Sequence, residues 1–124
     1  MVKNLPRNIF VAKENVMKIR RIPKNIREDI IQYKKILAKN GVGKPKIILF
    51  GSIAKGKSNK YSDIDIAVVS PKFGKNFNKE IVKLMILTDK INNDIEPIPF
   101  NPKDLNNKYY ALANEVRKYG IEVK

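Results

Sequence analysis

The sequence predicts an α/β (α+β) fold, a small mixed sheet flanked by helices. Two observations support this prediction. Apolar residues at helical spacing alternate along the chain with short apolar runs that end in polar turns, which is typical of helices packed on a sheet. The chain has 124 residues, of which 43% are hydrophobic, so it can build one core but cannot hold two full domains.

The chain divides into a basic N-terminal segment, residues 1–22, and a domain over residues 23–124. The segment can form a helix that ends near Pro23, with one stripe made of Ile9, Val11, Val16 and Ile19. A first helix of the domain follows Pro23 and stops at Asn40-Gly41. Its apolar positions recur at helical spacing, namely Ile26, Ile30, Tyr33 and Leu37.

Two short strands follow the first helix. Residues 47–50 form an apolar run that ends at Gly51, which indicates a buried strand. Residues 52–57 fit a short helix or turn. A polar loop then leads to a second strand over residues 63–69, which Ser70-Pro71 ends.

The second half of the domain predicts a helix, a strand and a last helix. Asn78 can cap a helix whose core face carries Ile81, Leu84, Met85, Thr88 and Ile91. A third strand covers residues 94–100. Asn101-Pro102 and Asp104 form a good helix start. The last helix closes at Gly120 and has one face made of Tyr109, Leu112, Ala113 and Val116.

The composition excludes several kinds of site. The chain has no cysteine and no histidine. Disulfides, thiol catalysis, histidine bases and metal sites built from Cys or His are therefore excluded. Any metal must be held by oxygen, which favours Mg²⁺, Mn²⁺ or Ca²⁺.

Positive charge is concentrated in the N-terminal third. The net charge is +14, and residues 1–46 hold 13 basic and 3 acidic residues. A basic field attracts nucleotides, nucleic acid or an acidic partner. A solvated lysine-rich surface is an equal alternative, because no RNA motif with interleaved aromatic residues accompanies it. No apolar run is long enough for a membrane helix and no signal peptide is visible, so we expect a cytoplasmic protein without membrane contact.

The residues after the first strand have the chemistry of a phosphate-binding turn. The strand runs into Gly51-Ser52 at the start of a short helix, where backbone N–H groups are unpaired and the helix dipole is positive. Gly51 permits the close approach of a phosphate, Ser52 offers a hydroxyl, and Lys55 adds a full positive charge. On its own, this stretch is better explained as a simple turn.

Asp63 and Asp65 begin the second predicted strand. Side chains alternate along a strand, so both carboxylates project from one face while Ile64, Ile66 and Val68 face the core. Two neighbouring acids repel each other, and a cation between them relieves the repulsion. On its own, the pair can also be a solvated sheet edge. A phosphate-binding turn eleven residues earlier makes a joint site for a nucleotide and Mg²⁺ or Mn²⁺ the better interpretation.

Together these residues resemble the signature of the DNA polymerase β-like nucleotidyltransferases, in particular the minimal nucleotidyltransferase domain. That signature is Gly-Ser, a basic residue and Gly, followed by Ser-Asp-x-Asp. Here it reads Gly51-Ser52, Lys55, Gly56 and Ser62-Asp63-Ile64-Asp65. The family's basic position is usually arginine, and lysine keeps its charge but not its planar fork. The element order over residues 24–119 also suits the family, although the specific motifs lie within residues 49–69.

The resemblance implies a third carboxylate on a later strand. Glu96 is preferred over the alternative, Asp94, because it lies further inside the predicted strand. Asp63, Asp65 and Glu96 are then the catalytic and metal-binding residues. The nucleotide-binding residues are Gly51, Ser52 and Lys55.

The resemblance further implies a Mg²⁺-dependent (or Mn²⁺-dependent) enzyme that transfers a nucleoside monophosphate to an acceptor hydroxyl. ATP is the expected donor of AMP, and another nucleoside triphosphate can take its place. Small members of the group often act beside a helical HEPN protein, so the expected partners are such a protein, with this chain as its antitoxin, or a second copy of the chain. The alternative is a catalytically lapsed module that binds nucleotide or nucleic acid through its basic surface.

Overall fold

The computed structural model describes residues 22–57 and 63–124. In chain order its elements are α1 (Lys24–Lys39), β1 (Lys46–Leu49), α2 (Gly51–Ala54), β2 (Ile64–Val69), α3 (Phe77–Thr88), β3 (Ile95–Phe100), α4 (Pro102–Leu105), α5 (Ala111–Tyr119) and β4 (Ile121–Val123). The predicted α/β (α+β) fold is confirmed. The helix predicted within residues 1–22 and the signature residue Ser62 lie outside the described residues. None of the described helices combines the length and apolar character needed to cross a bilayer.

The four strands form one mixed sheet in the order β3-β2-β1-β4. β1 pairs antiparallel with β2 on one side and with β4 on the other. β2 and β3 are parallel, and α3 makes the crossover that a parallel pair requires. The starts of β2 and β3 therefore lie side by side at the same end of the sheet as the end of β1.

β3 forms one edge of the sheet and contains two prolines, Pro97 and Pro99. The carbonyl of Asp94 accepts the N–H of Ile64 at 2.8 Å, and that of Phe100 accepts the N–H of Ser70 at 2.9 Å. The backbone N–H and C=O groups of the even-numbered residues in and next to β3 therefore point towards β2. The two prolines occupy the odd-numbered positions, whose backbone groups point away from β2.

The sheet has a hydrophobic core on each face. The larger core joins the sheet to α1 and α3 and includes Ile64, Ile66 and Val68, as the alternation in the sequence predicts. The smaller core lies under α5 and contains Ala67 and Val69 of β2, together with Phe50, Phe100, Ala113 and Val116. β2 is thus buried on both faces, and its odd-numbered residues belong to the α5 side.

A buried hydrogen bond joins α1 to α3. Ile30, Tyr33 and Leu37 form the buried stripe of α1, which confirms the predicted helix. The Tyr33 hydroxyl, which is fully buried, donates to the backbone carbonyl of Leu84 at 2.7 Å. The two helices that cover the larger core are therefore held to each other by a polar contact as well as by apolar packing.

α3 differs from its prediction at both its cap and its exposed face. The helix is capped by Asn76, whose side chain accepts the N–H of Lys79 at 3.1 Å, and Asn78 lies inside the first turn. Met85, predicted to face the core, is 52% exposed, whereas Leu87 is buried. The helix starts two residues earlier than predicted, and its buried stripe follows Leu84, Leu87 and Thr88.

The single helix predicted after residue 100 is two helices with a link between them. α4 begins as predicted, with Asn101 and Asp104 forming a reciprocal cap, but Tyr109 lies in the link and is 85% exposed. α5 ends at Gly120, where the backbone becomes extended. A β-carbon at this position would overlap the Val116 carbonyl oxygen and Cγ2 of Ile48, which explains why the residue is glycine. The short strand β4 that follows was not predicted.

Candidate active site

A sharp backbone bend connects β1 to α2. Gly51 has a φ of +74°, in the left-handed region that side chains rarely tolerate. A β-carbon at this position would lie 2.2 Å from Oδ2 of Asp65. The preceding residue, Phe50, donates its backbone N–H to the Asp65 carbonyl at 2.9 Å, which ties the end of β1 to the start of β2. The bend therefore passes directly against the Asp65 side chain, and only glycine fits there.

Three carboxylates meet where β2 and β3 begin. Asp65 and Glu96 are register partners on these parallel strands. Asp63 immediately precedes β2 and shares a face with Asp65, since residues two apart in an extended strand project from the same side. Because the odd-numbered residues of β2 lie on the α5 side, the carboxylates lie on that side too. Asp94, the alternative third acid, lies exposed in the turn just before β3.

The charged forms of Asp65 and Glu96 are disfavoured in the folded protein. Partial burial raises the pKa of Asp65, and the negative charges of Asp63 and Glu115 raise it further, although a hydrogen bond with Glu96 opposes this. Burial also raises the pKa of Glu96, and the charges and hydrogen-bonding oxygens of Asp63 and Asp65 add to the effect. The cluster therefore favours a shared proton or a cation.

The donor set fits a hard divalent cation. All three groups are carboxylates, the ligands that Mg²⁺ and Mn²⁺ prefer, and their mutual repulsion is what a bound cation would relieve. Among the described residues, no three carboxylates already stand in a coordinating arrangement, so the side chains would have to close around the ion. The fit rests on the strand pairing and on the repulsion within the cluster.

Lys55 ends α2 and reaches towards α5. Its Nζ donates to Oε1 of Glu115 at 2.8 Å and lies 4.6 Å from the centroid of the Tyr119 ring. The hydrogen bond to Glu115 is the main cause of a raised pKa for Lys55. The lysine thus stays charged, and its partner Glu115 is the same residue whose charge acts on Asp65.

The structure brings most of the predicted site residues into one region. Gly51 contacts Asp65, and Asp63 and Glu96 act on Asp65 electrostatically. Ser52 follows Gly51 in α2 and is half-buried. Asp94 contributes none of the charge effects on Asp65 or Glu96, so Glu96 is the better placed of the two candidates.

Sequence reasoning missed the contribution of α5. Glu115 and Tyr119 lie sixty or more residues from Lys55 along the chain, so no local pattern links them to it. Their spacing of four residues does put them on one face of a helix, beside the predicted apolar stripe. That spacing was the only available signal, and it does not say what the face contacts.

A separate cavity of about 600 Å³ lies away from the carboxylates. It is bounded by Asn40 at the end of α1 and by the outer side of α3, including Val82 and Ile86. Its lining is mainly apolar and carries no carboxylate. A site for phosphate and a divalent cation needs charged oxygen ligands and positive charge, so the end of the sheet near Asp65 is the candidate active site.

Comparison with known proteins identifies the family of the chain. The chain matches the nucleotidyltransferase domain family over residues 30–120, a region that contains every predicted site residue. No curated protein matches it significantly. Among solved structures it is similar to a chain from the crystal structure of a toxin–antitoxin with AMP-PNP. That pair is 26% identical with a TM-score of 0.56, over 79% of this chain and 72% of the other.

A second solved structure overlaps more loosely. It is described as a candidate nucleotidyltransferase from Sulfolobus solfataricus, and it is 20% identical with a TM-score of 0.44. The match covers 81% of this chain and 86% of that chain. The family match spans most of the chain and includes the acids, the bend and Lys55. The chain therefore belongs to the nucleotidyltransferase domain family and is a nucleotidyltransferase.

Proposed function

We propose that the protein transfers AMP from ATP to an acceptor hydroxyl in a reaction that depends on Mg²⁺ or Mn²⁺. The observation that carries the proposal is the pairing of Asp65 with Glu96 directly against the bend at Gly51. Carboxylates can bind the metal, and a glycine turn with a lysine can bind the phosphates. Together they provide a site for a metal-bound triphosphate. The proposal assigns this activity to residues 23–124.

In this proposal Asp63, Asp65 and Glu96 hold the divalent cation. When bound, the cation would neutralise the negative charge of the phosphates and stabilise the charge that develops on the leaving oxygen. Glu96 is exposed, and its raised pKa suits it to accept the proton of the acceptor hydroxyl. The acceptor oxygen forms a bond to the α-phosphorus, the bond to the β-phosphate oxygen breaks, and pyrophosphate leaves.

The β- and γ-phosphates are assigned to Gly51, Ser52 and Lys55. The absence of a side chain at Gly51 allows a phosphate to approach the backbone, and Ser52 can donate its hydroxyl. No side-chain oxygen caps the first turn of α2, because the residue before it is Phe50. Lys55 would leave or share its contact with Glu115 in order to meet the phosphates. Catalysis is then mainly positioning and charge neutralisation, which requires no histidine.

We infer that the acceptor belongs to a HEPN-type helical protein and that this chain is its antitoxin. The support is the similarity to a structure described as a toxin–antitoxin with AMP-PNP. The reaction would take place in the cytoplasm, where ATP and Mg²⁺ are available.

The test is transfer of label from α-³²P-ATP. The chain is incubated with Mg²⁺, with and without a HEPN-type protein encoded beside it, and labelled products are separated by size. We expect label on the partner protein that depends on Mg²⁺ and is lost in Asp65→Asn. Asp89→Asn, an exposed acid at the end of α3, is the matched control and should retain transfer.

Two results would overturn parts of the proposal. No label on any protein, nucleic acid or small molecule, with Asp65→Asn equal to wild type, would reject the transferase reaction in this form. ATP binding without transfer, unaffected by Asp65→Asn but steeply weakened by salt, would favour the lapsed binding module. Label on a small molecule or on nucleic acid alone would keep the reaction and reject the antitoxin role.

A further inference from the structure

Lys55 is held by two side chains of α5. Its Nζ is 2.8 Å from Oε1 of Glu115 and 4.6 Å from the centroid of the Tyr119 ring. Residues four apart lie on one face of a helix, so the two contacts form a single surface that receives the ammonium group. A carboxylate and an aromatic face both favour a cation. In the absence of ligand, the Lys55 side chain is therefore bound to α5.

Glu115 also acts on the carboxylate cluster. α5 packs over the face of the sheet on which Asp65 lies, and the charge of Glu115 is among the causes of the raised pKa of Asp65. Glu115 is thus a fourth carboxylate near the proposed metal ligands, and its position is set by the contact with Lys55. It neutralises the one cation assigned to the phosphates and adds negative charge beside the acids.

These contacts weaken the binding of a metal-free nucleotide more than the binding of a nucleotide that carries its divalent cation. A free triphosphate carries more negative charge than its complex with a divalent cation, so Glu115 and the acids repel it more strongly. It must also compete with Glu115 for Lys55. A cation-loaded triphosphate brings positive charge to the carboxylates and meets less repulsion.

We propose that Glu115 is a specificity-determining residue that makes the site reject nucleoside triphosphate lacking its divalent cation. The inference rests on the proposed function, because it assigns the phosphates to Lys55 and the cation to the carboxylates. Its role is exerted through Lys55 and through charge. Glu115 is therefore not a catalytic residue, and removing its charge should make the site less selective.

The test measures binding of AMP-PNP to the full chain by calorimetry, once with Mg²⁺ and once with EDTA. Glu115→Gln keeps the shape and can still accept a hydrogen bond from Lys55, but it removes the charge. We expect Glu115→Gln to bind the metal-free analogue about threefold to fivefold more tightly than wild type, the range of an exposed ion pair. The change with Mg²⁺ should be smaller.

Two further variants separate the causes. Glu122→Gln removes the same charge from a comparable exposed pair, Lys46–Glu122 at 3.9 Å, and should leave both affinities unchanged. The double variant Lys55→Ala with Glu115→Gln should lose most of the gain, since the freed ammonium is then absent. Glu115→Ala serves as a second single variant, and thermal melts establish that each protein is folded.

The outcomes distinguish this inference from the proposed function. If wild type binds Mg²⁺-loaded AMP-PNP but neither Glu115 variant changes the ratio of the two affinities, the inference is rejected and the proposed function stands. If wild type does not bind the analogue even with Mg²⁺, the proposed function is rejected and the inference falls with it. If Glu122→Gln increases the affinity for the metal-free analogue by the same factor, the effect is due to the overall charge of the protein. That result would also reject the role of Glu115.

Discussion

The backbone at Gly51 passes so close to Asp65 that a β-carbon would lie 2.2 Å from Oδ2 of the acid. The bend and the carboxylate therefore lie in direct contact, so a side chain added at position 51 would overlap Asp65. The contact joins the phosphate-binding half of the proposed site to its metal-binding half. Together with the left-handed φ of +74°, it explains why the residue at the bend is glycine.

Gly51→Ala should destabilise the protein more than Gly56→Ala does. Both residues have a left-handed φ, +74° and +72°, so each substitution costs about 1–2 kcal/mol of backbone strain. A β-carbon at Gly56 meets nothing within 4 Å, whereas the one at Gly51 overlaps Asp65. We expect Gly51→Ala to lower the free energy of unfolding by about 2–4 kcal/mol in urea titrations. Equal losses in the two variants would show that the Asp65 contact has no cost.

In the absence of metal, the carboxylate cluster should make the protein less stable as pH rises. The pKa values of Asp65 and Glu96 are higher in the folded protein than in the unfolded chain. The folded state therefore binds more protons between the two values, and stability falls as pH rises through that window. Glu96→Gln should flatten this dependence and raise the urea midpoint at pH 7 relative to wild type. A steeper decline in the variant would contradict the assignment.

Addition of Mg²⁺ should distinguish Glu96 from Asp94. Partners that merely orient metal ligands contribute about tenfold to affinity, so loss of a ligand should weaken Mg²⁺ binding by at least about tenfold. We expect Mg²⁺ to raise the melting temperature of wild type and of Asp94→Asn, but much less that of Glu96→Gln. The reverse pattern would make Asp94 the third carboxylate. EDTA should abolish the shift in every case.

Tyr33→Phe should weaken the contact between α1 and α3. The substitution removes the 2.7 Å hydrogen bond to the Leu84 carbonyl without changing the shape of the buried ring. We expect a loss of about 1–2 kcal/mol in the free energy of unfolding, measured with urea. Because the contact between α1 and α3 lies on the face of the sheet opposite the carboxylates, nucleotide affinity should be unchanged. A change in affinity at constant stability would mean that the two faces are coupled.

Local patterns were enough to predict β1, β2 and β3, three of the four strands in the described part of the chain. The apolar run before Gly51 and the alternation after Asp63 each determine which side chains are buried, and Ile64, Ile66 and Val68 lie in the core as predicted. Glu96 could be preferred over Asp94 because depth within a strand can be judged from the sequence. The alternation in β2 follows from the period of two residues, which directs successive side chains of a strand to opposite faces.

Other features depend on contacts between distant residues. Met85 is exposed because the buried stripe of α3 is set by its packing on α1 and the sheet, and the helical period alone allowed either face. β4 has only three residues and exists because it pairs with β1. The link at Tyr109 and the contact of Lys55 with Glu115 likewise arise only when α5 packs over the sheet. None of these features has a local sequence pattern from which it could be predicted.

The two prolines of β3 have a consequence for self-association. An incoming strand needs outward N–H donors along the edge it joins, and at Pro97 and Pro99 those donors are missing. The exposed side of β3 thus resists the strand-by-strand growth that leads to fibrils, and it does so without relying on surface charge. Subunits that assemble by extending this sheet would have to add to β4, which offers three residues.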